Sequence, residues 1–356
     1  MIQKRALVIR FSSLGDIVLL TPLFREIKKE FPGIITDFLT STTFADVCAN
    51  NPNIDNLIAL DRTLGKNELA KVVKECSQQK YDYIFDAHGS LRSRLFRSKC
   101  FGLFNSFHHN TALIDKRSWK RNLLLKFKIN YLQQKTAQRR IYCQLLNQFG
   151  KTTPFDDSTE LFPGPKEKNS VDELLKDLPH TSKKLIAIGP SASFKGKCWP
   201  WESFLQLSEV LSRLNYQILL LGGPNDQEPG WMAANTQETF LNLSGRLSYL
   251  ESAELLSRCC LSVSNDSAVV HISEAMGTPA IAIFGPTVAE FGFAPYLDKS
   301  RLLETSLPCR PCSRNGKGKC TNKIQRQCLK DITVEHALST SLSILNEPYS
   351  ENSHRQ

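Results

Sequence analysis

Short apolar runs that end in turn residues, each followed by a helical pattern, constrain this chain more than anything else in it. Residues 5–11, 34–40 and 81–87 carry β-branched or aromatic members, and IVLLTPLFREIKKEF and ELAKVVKECSQQ lie between them. Strand, helix, strand at this spacing predicts parallel βαβ units. KTTPFDDSTELFPGPKEKNS, residues 151–170, interrupts the pattern with three prolines and no periodicity, which predicts a linker. A second series follows: LIAIG (185–189), a helix from Trp201 to Leu214, QILLLGG (217–223), SAELLSRC as a helix, LSVSN (261–265), VVHISEAM as a helix and AIAIFG (280–285). The expected organisation is an N-terminal α/β domain over 1–160, a linker over 161–170, a C-terminal α/β domain over 171–335, and a helix and tail over 336–356. Ligand loops of such sheets lie at the carboxyl ends of the strands.

A length of 356 residues is enough for two cores. The first residues, MIQKRALVIRFSSLGD, lack a secretory apolar region and a cleavage site, and no apolar run reaches membrane-spanning length. Eleven cysteines without an export signal point to a reducing compartment, so a cytoplasmic protein is expected. The net charge of +10 is uneven. Between Arg92 and Arg140 stand thirteen Lys/Arg and a single acid, Asp115, so this stretch holds more positive charge than the chain's whole excess. Such a field suits a polyanion: nucleic acid, an anionic membrane surface, or a phosphorylated or carboxylated glycan.

The most informative strand–turn–helix is SNDSAVVHISEAMGTPAIAIFGPT, 264–287. Ser267 is a natural N-cap, so the first amides and the positive end of the following helix face outward as a phosphate site. His271 follows one turn later on about the same face. Upstream, GPSASFKGKCWPWESF (189–204) offers Lys195 and Lys197 before Trp199-Pro200, where a helix can start. A lysine there suits a diphosphate oxygen. In GGPNDQE (222–228), Asp226 or Glu228 could accept from ribose hydroxyls. The absence of a Walker A lysine motif and of GxGxxG argues against a P-loop NTPase and a typical dinucleotide oxidoreductase. No Asp-x-Asp pair occurs to hold a divalent metal on a diphosphate.

SSLGD (12–16), DAHGSLRS (86–93), KCWP (197–200) and the NDS…H…GTP…FGPT block together resemble the family-nine glycosyltransferases, the ADP-heptose:lipopolysaccharide heptosyltransferases. The order is the same, nearly the whole chain is covered, and KCWP and NDS are more similar to the second inner-core heptosyltransferase than to the first. The resemblance implies a GT-B fold: two Rossmann-like parallel-sheet domains facing across a cleft, acceptor on the first and nucleotide sugar on the second. It implies inverting, metal-independent transfer of heptose from ADP-L-glycero-β-D-manno-heptose to the lipopolysaccharide inner core, with no cofactor required for catalysis. Asp16 would be the general base, in the turn that also supplies Ser13 and Gly15 to the donor. Ser193 and Lys197 would hold the diphosphate, Asp226 the ribose and Leu247 the adenine, with Asp266, Ser267, His271 and Thr287 completing the donor site.

On that reading the basic stretch meets a lipid A–Kdo–heptose acceptor at the inner leaflet of the membrane, and nucleic acid is not a partner. His88, Arg92, Arg117, Arg121 and Arg139 are the expected acceptor contacts, arginine being suited to bidentate pairing. The interleaved apolar residues, Phe101, Leu103, Phe104, Phe107 and Trp119 with the LLLKF run, are expected mainly as core, with insertion into the membrane interface as the alternative. Cys309, Cys312, Cys320 and Cys328 form a C-x2-C-x7-C-x7-C pattern that could hold a structural zinc or iron, free thiols or adventitious disulfides being equally compatible. Two other functions stay open: a related transferase using another nucleotide sugar or a protein acceptor, and a polyanion binder acting through residues 92–140.

Overall fold

The structure, a computed structural model, describes residues 3–61, 63, 65–102, 110–132, 136–151, 154–176, 183–224 and 240–346. The chain divides into two compact units. The first takes residues up to Asn122, Asn130–Gly164 and Glu290–Gly292; the second takes Leu123–Ile129, Pro165–Ala289 and the chain from Phe293 onward.

The first unit is built on an open, wholly parallel sheet in the order β3-β2-β1-β4-β5. Its strands are β1 (Arg5–Ile9), β2 (Ile35–Ser41), β3 (Asn56–Leu60), β4 (Tyr83–Asp86) and β5 (Thr111–Leu113). Parallel strands covered on both faces read as continuous apolar runs, and ALVI of β1 is completely buried. Leu7, Ile9, Phe11, Leu39, Ile84 and Phe96 form one core layer. The helices are α1 (Leu14–Glu30), α2 (Thr42–Ala45), α3 (Gly65–Gln78), α4 (Leu91–Phe101), α5 (Ser118–Phe127, which the division into units cuts) and α6 (Gln138–Cys143). Helix α1 passes through Pro22, which cannot donate to the Val18 carbonyl four residues back. The Thr21 hydroxyl donates to that carbonyl instead, at 2.8 Å. Helix α6 packs on α1.

The second unit has a six-stranded parallel sheet in the order β11-β10-β9-β6-β7-β8. Its strands are β6 (Lys184–Gly189), β7 (Tyr216–Leu220), β8 (Phe240–Asn242), β9 (Cys259–Asn265), β10 (Ala280–Phe284) and β11 (Arg301–Glu304). Its helices are α7 (Pro165–Lys176), α8 (Trp201–Arg213), α9 (Tyr249–Ser257), α10 (Ala268–Ala275), α11 (Gln327–Lys330) and α12 (Val334–Asn346). Trp199, buried between Phe204 and the sheet, donates its indole N–H to the Ile332 carbonyl at 2.9 Å. Both sheets are open among the described residues, so the α/β class holds. The stretch read as a linker differs in its second half, where Pro165 opens α7; proline's fixed φ and missing N–H suit a first helical turn.

In each sheet the strand order reverses once. In the first unit the chain moves outward from β1 through β2 to β3, then returns to lay β4 on the other side of β1. In the second it moves from β6 through β7 to β8, then returns to place β9 beside β6. The carboxyl ends of β1/β4 and of β6/β9 are therefore the two topological switch points, where open α/β sheets bind ligands.

Candidate active site

At the first switch point, Ser13 caps α1 and Asp16 lies in its opening turn. A carboxylate here meets the positive end of a 17-residue helix. Asp16 Oδ2 lies 2.6 Å from Arg10 Nη2 and accepts from the Ser13 hydroxyl at 2.8 Å and the Ser13 amide at 3.3 Å. Its Oδ1 accepts from the Tyr142 hydroxyl at 2.9 Å. Asp16 retains 18% of its side-chain exposure, whereas Tyr142 is completely buried. Burial would raise the Asp16 pKa, but the Arg10 charge and the hydroxyls of Ser13 and Tyr142 outweigh it and hold the carboxyl below its ordinary range. The site thus presents an ionised carboxylate at neutral pH.

Arg10 also donates through Nη1 to the Ala87 carbonyl at 2.7 Å, and its guanidinium lies 5.5 Å over the Tyr142 ring. It fastens the loop after β4 to the start of α1. That loop is held from below by Asp86, whose Oδ1 accepts from the His88 and Gly89 amides while Oδ2 pairs with buried Arg97 at 3.0 Å. His88 packs edge-on against Phe11, and burial, with Arg10 and Lys116 nearby, pushes its pKa down to about 4. Its imidazole is neutral at physiological pH.

The second switch point collects most of the residues expected to hold the donor. Ser267 caps α10 and accepts from the Val269 amide, and its hydroxyl lies 2.8 Å from that of Ser264, which donates to the Gly189 carbonyl. Lys197 Nζ lies 2.7 Å from Asp266 Oδ2, and that same oxygen accepts from the Thr287 hydroxyl at 2.7 Å. Asn265 accepts from the Trp199 amide and donates to the Pro190 carbonyl, tying the KCWP turn to the end of β9. Gly316 covers that turn: with φ +83° and the place for a Cβ only 2.5 Å from Lys197 Cγ, it must be glycine. His271 is buried one turn along α10, beside Phe293. Ser193 is exposed on the same loop as Lys197, and Leu247 is half-buried in the turn before α9. Asp226, and Glu228 beside it, lie outside the described residues.

The expected acceptor arginines are less uniform than their spacing suggests. Arg92 is exposed on α4. Arg117 is buried and donates to the Thr136 carbonyl; Arg121 donates to Gln138 and to the Phe291 carbonyl. Arg139 pairs with Asp157 at 2.7 Å. Three of these four guanidiniums are engaged within the unit, one of them with a carboxylate. The apolar residues of this stretch also divide: Phe101 packs on the core, Leu103, Phe104 and Phe107 lie outside the described residues, Leu124 is buried, and Trp119 is 58% exposed.

The expectation of a metal at the four late cysteines is not matched by their arrangement. Cys312, Cys320 and Cys328 line a cavity of about 370 Å³ with Lys195, Lys317 and Arg326. Among the described residues, however, no three His, Cys, Asp or Glu side chains are disposed to hold one ion. The Cys320 sulfur accepts from the Arg326 amide and the Cys309 sulfur from the Asn322 side chain.

A model of glycosyltransferase family 9 (heptosyltransferase) matches residues 69–321. The chain belongs to that family. It is therefore a glycosyltransferase, and the family match covers β4 and its loop together with the whole KCWP and NDS…FGPT framework. It is 26% identical to lipooligosaccharide heptosyltransferase 2 of Haemophilus influenzae, over 93% of this chain and 96% of that one. Its fold matches that of a family 9 glycosyl transferase from Veillonella parvula with a TM-score of 0.80 at 24% identity, covering 97% and 98% of the two chains. It matches E. coli ADP-heptose lps heptosyltransferase II with a TM-score of 0.73 at 21% identity, covering 96% and 98%.

Two side chains that hold Asp16 escape a sequence reading. Arg10 has a faint signal, a charge set inside the apolar run ALVIRF beside SSLGD. Tyr142 has none, since it stands 126 residues from Asp16 and reaches it only because α6 packs on α1.

Proposed function

We propose that this protein transfers heptose from ADP-heptose to the inner core of lipopolysaccharide, with inversion at the anomeric carbon and without a metal. The observation that carries the reading is Asp16, an ionised and partly exposed carboxylate fixed at the carboxyl edge of β1. An acceptor hydroxyl attacks the anomeric carbon opposite the departing ADP. As the new C–O bond forms, the hydroxyl proton passes to Asp16, and the electron pair of the broken bond leaves on the β-phosphate. Lys197 and the amides at the start of α10 take up that charge, the arrangement that electrostatic stabilisation of a leaving group requires. Neutral His88 and exposed Arg92 belong to the acceptor side, His88 as a hydrogen-bond partner and Arg92 as a partner for core anions.

The acceptor's membrane anchor gives a role to Leu91, Leu95 and Trp119, which are 71%, 52% and 58% exposed among Arg92, Arg94 and Lys120. No helix among the described residues is long and apolar enough to cross a membrane. We assign the protein to the cytoplasmic side of the inner membrane, held peripherally by these exposed basic and apolar side chains.

The reading is tested by following ADP release from ADP-heptose with and without EDTA, alongside thermal shifts with ADP, UDP and GDP. ADP alone should raise the melting temperature, EDTA should leave turnover unchanged, and Asp16→Asn should lower kcat by about 10²–10⁴-fold with ADP binding intact. Preference for UDP or GDP would overturn the donor assignment.

A further inference from the structure

Asp16 is unequally occupied on its two oxygens. A carboxylate offers about four lone-pair sites. Oδ2 already takes the Arg10 guanidinium, the Ser13 hydroxyl and the Ser13 amide. Oδ1 takes only the Tyr142 hydroxyl among the described residues. We propose that Oδ1 is the atom that accepts the substrate proton, and that Arg10 and Tyr142 are positioning residues that hold the carboxylate ionised with that oxygen's second lone pair open. The proposal rests on the reading of Asp16 as the base.

Each partner suits the task chemically. Tyr142 is completely buried, which pushes its pKa well up, so the phenol is a permanent donor that cannot itself carry the proton away. Its ring also floors the Arg10 guanidinium. Arg10 is 9% exposed, and its second nitrogen is committed to the Ala87 carbonyl, so the cation cannot swing out to solvent. In the transfer, the hydroxyl O–H bond breaks, its proton forms a bond to Oδ1, and the hydroxyl oxygen keeps the pair with which it attacks carbon. A carboxylate held this acidic is a weak base. It takes the proton late, once bond formation to carbon has acidified it. Among the described residues, the charged and titratable groups that act on Asp16 are Arg10 after β1, Tyr142 on α6 and His88 after β4; Asp86 acts on it through Arg10, and Arg121 through Tyr142.

The test is the pH profile of kcat/KM for ADP release by the full chain, with ADP-heptose and a lipid A–Kdo–heptose acceptor. Tyr142→Phe keeps the ring and removes one hydrogen bond to the ionised form, so the acid limb should move up by about one pH unit, with kcat about tenfold lower and KM for ADP-heptose within about twofold. Arg10→Gln removes the counter-charge and leaves the burial, so activity lost near neutrality should return as the pH is raised, whereas Arg10→Lys should keep the limb close to its wild-type position. A residue that only supports the fold would lower activity equally at every pH. Circular dichroism and ADP affinity verify that each variant is folded. Should Asp16→Asn abolish turnover while Tyr142→Phe and Arg10→Gln leave the limb in place, the clamp is refuted and the base survives. Should Asp16→Asn turn over normally, both fall.

Discussion

The pairing of Lys197 with Asp266 makes a quantitative claim about nucleotide binding. The two are 2.7 Å apart and 15% and 10% exposed, so the cation expected to meet a diphosphate already shares its charge with a carboxylate. Lys197→Ala removes a charge-assisted contact worth about 1.5–3 kcal/mol, which alone weakens ADP about 10- to 150-fold. It also strands Asp266 without its cation. A bare carboxylate about 6 Å from a phosphate charge costs about 1.4 kcal/mol at an effective dielectric of about 40, between that of a protein surface and that of water. The loss should therefore be at the upper end, about 100-fold or more. Asp266→Asn keeps an acceptor for the Thr287 hydroxyl and frees Lys197, so ADP affinity should stay within about threefold of wild type or improve. The double variant should bind ADP about tenfold more tightly than Lys197→Ala alone, a coupling energy of about 1.4 kcal/mol. Calorimetric titration of ADP into the four proteins closes the cycle. Additivity to within about 0.5 kcal/mol, or an unchanged affinity in Lys197→Ala, would refute the electrostatic account.

Gly316→Ala places a methyl against Lys197 in a left-handed backbone conformation, so the unfolding free energy should fall by about 1–3 kcal/mol, and ADP affinity should fall with it. His88 has its folded pKa depressed to about 4 from 6.5, so the unfolded chain binds its proton first. Stability from this group is complete above pH 6.5 and is lost as the pH falls toward 4; urea unfolding of His88→Gln should lose up to about 3 kcal/mol less than wild type over that window. Replacing Leu91, Leu95 and Trp119 together by serine should reduce flotation with phosphatidylglycerol vesicles while leaving ADP affinity unchanged; equal flotation would remove the membrane role of this surface.

The sequence alone determined the strand–turn–helix rhythm, the parallel α/β class and the positions of SSLGD, KCWP and NDS…FGPT, because each depends on neighbours a few residues apart. The central strands were legible for the same reason: burial on both faces makes ALVI of β1, LIAIG of β6 and AIAIF of β10 continuous apolar runs, and β9 departs from them only by buried serines and its terminal Asn265. The strands it passed over, β3, β5, β8 and β11, are all sheet edges of three to five residues, half-covered and too short to leave a pattern. Which charges are paired and which are available follows from packing between elements remote in sequence. Arg139 meets Asp157, Arg121 meets Gln138 and the Phe291 carbonyl, and Lys197 meets Asp266 across 69 residues. The arrangement that keeps Asp16 ionised belongs to the same class, since Arg10 is local but Tyr142 arrives through helix packing. Chemical type can be read along the chain. The protonation state and orientation of a carboxylate follow from what surrounds it in three dimensions, and that is set by sheet order and helix packing.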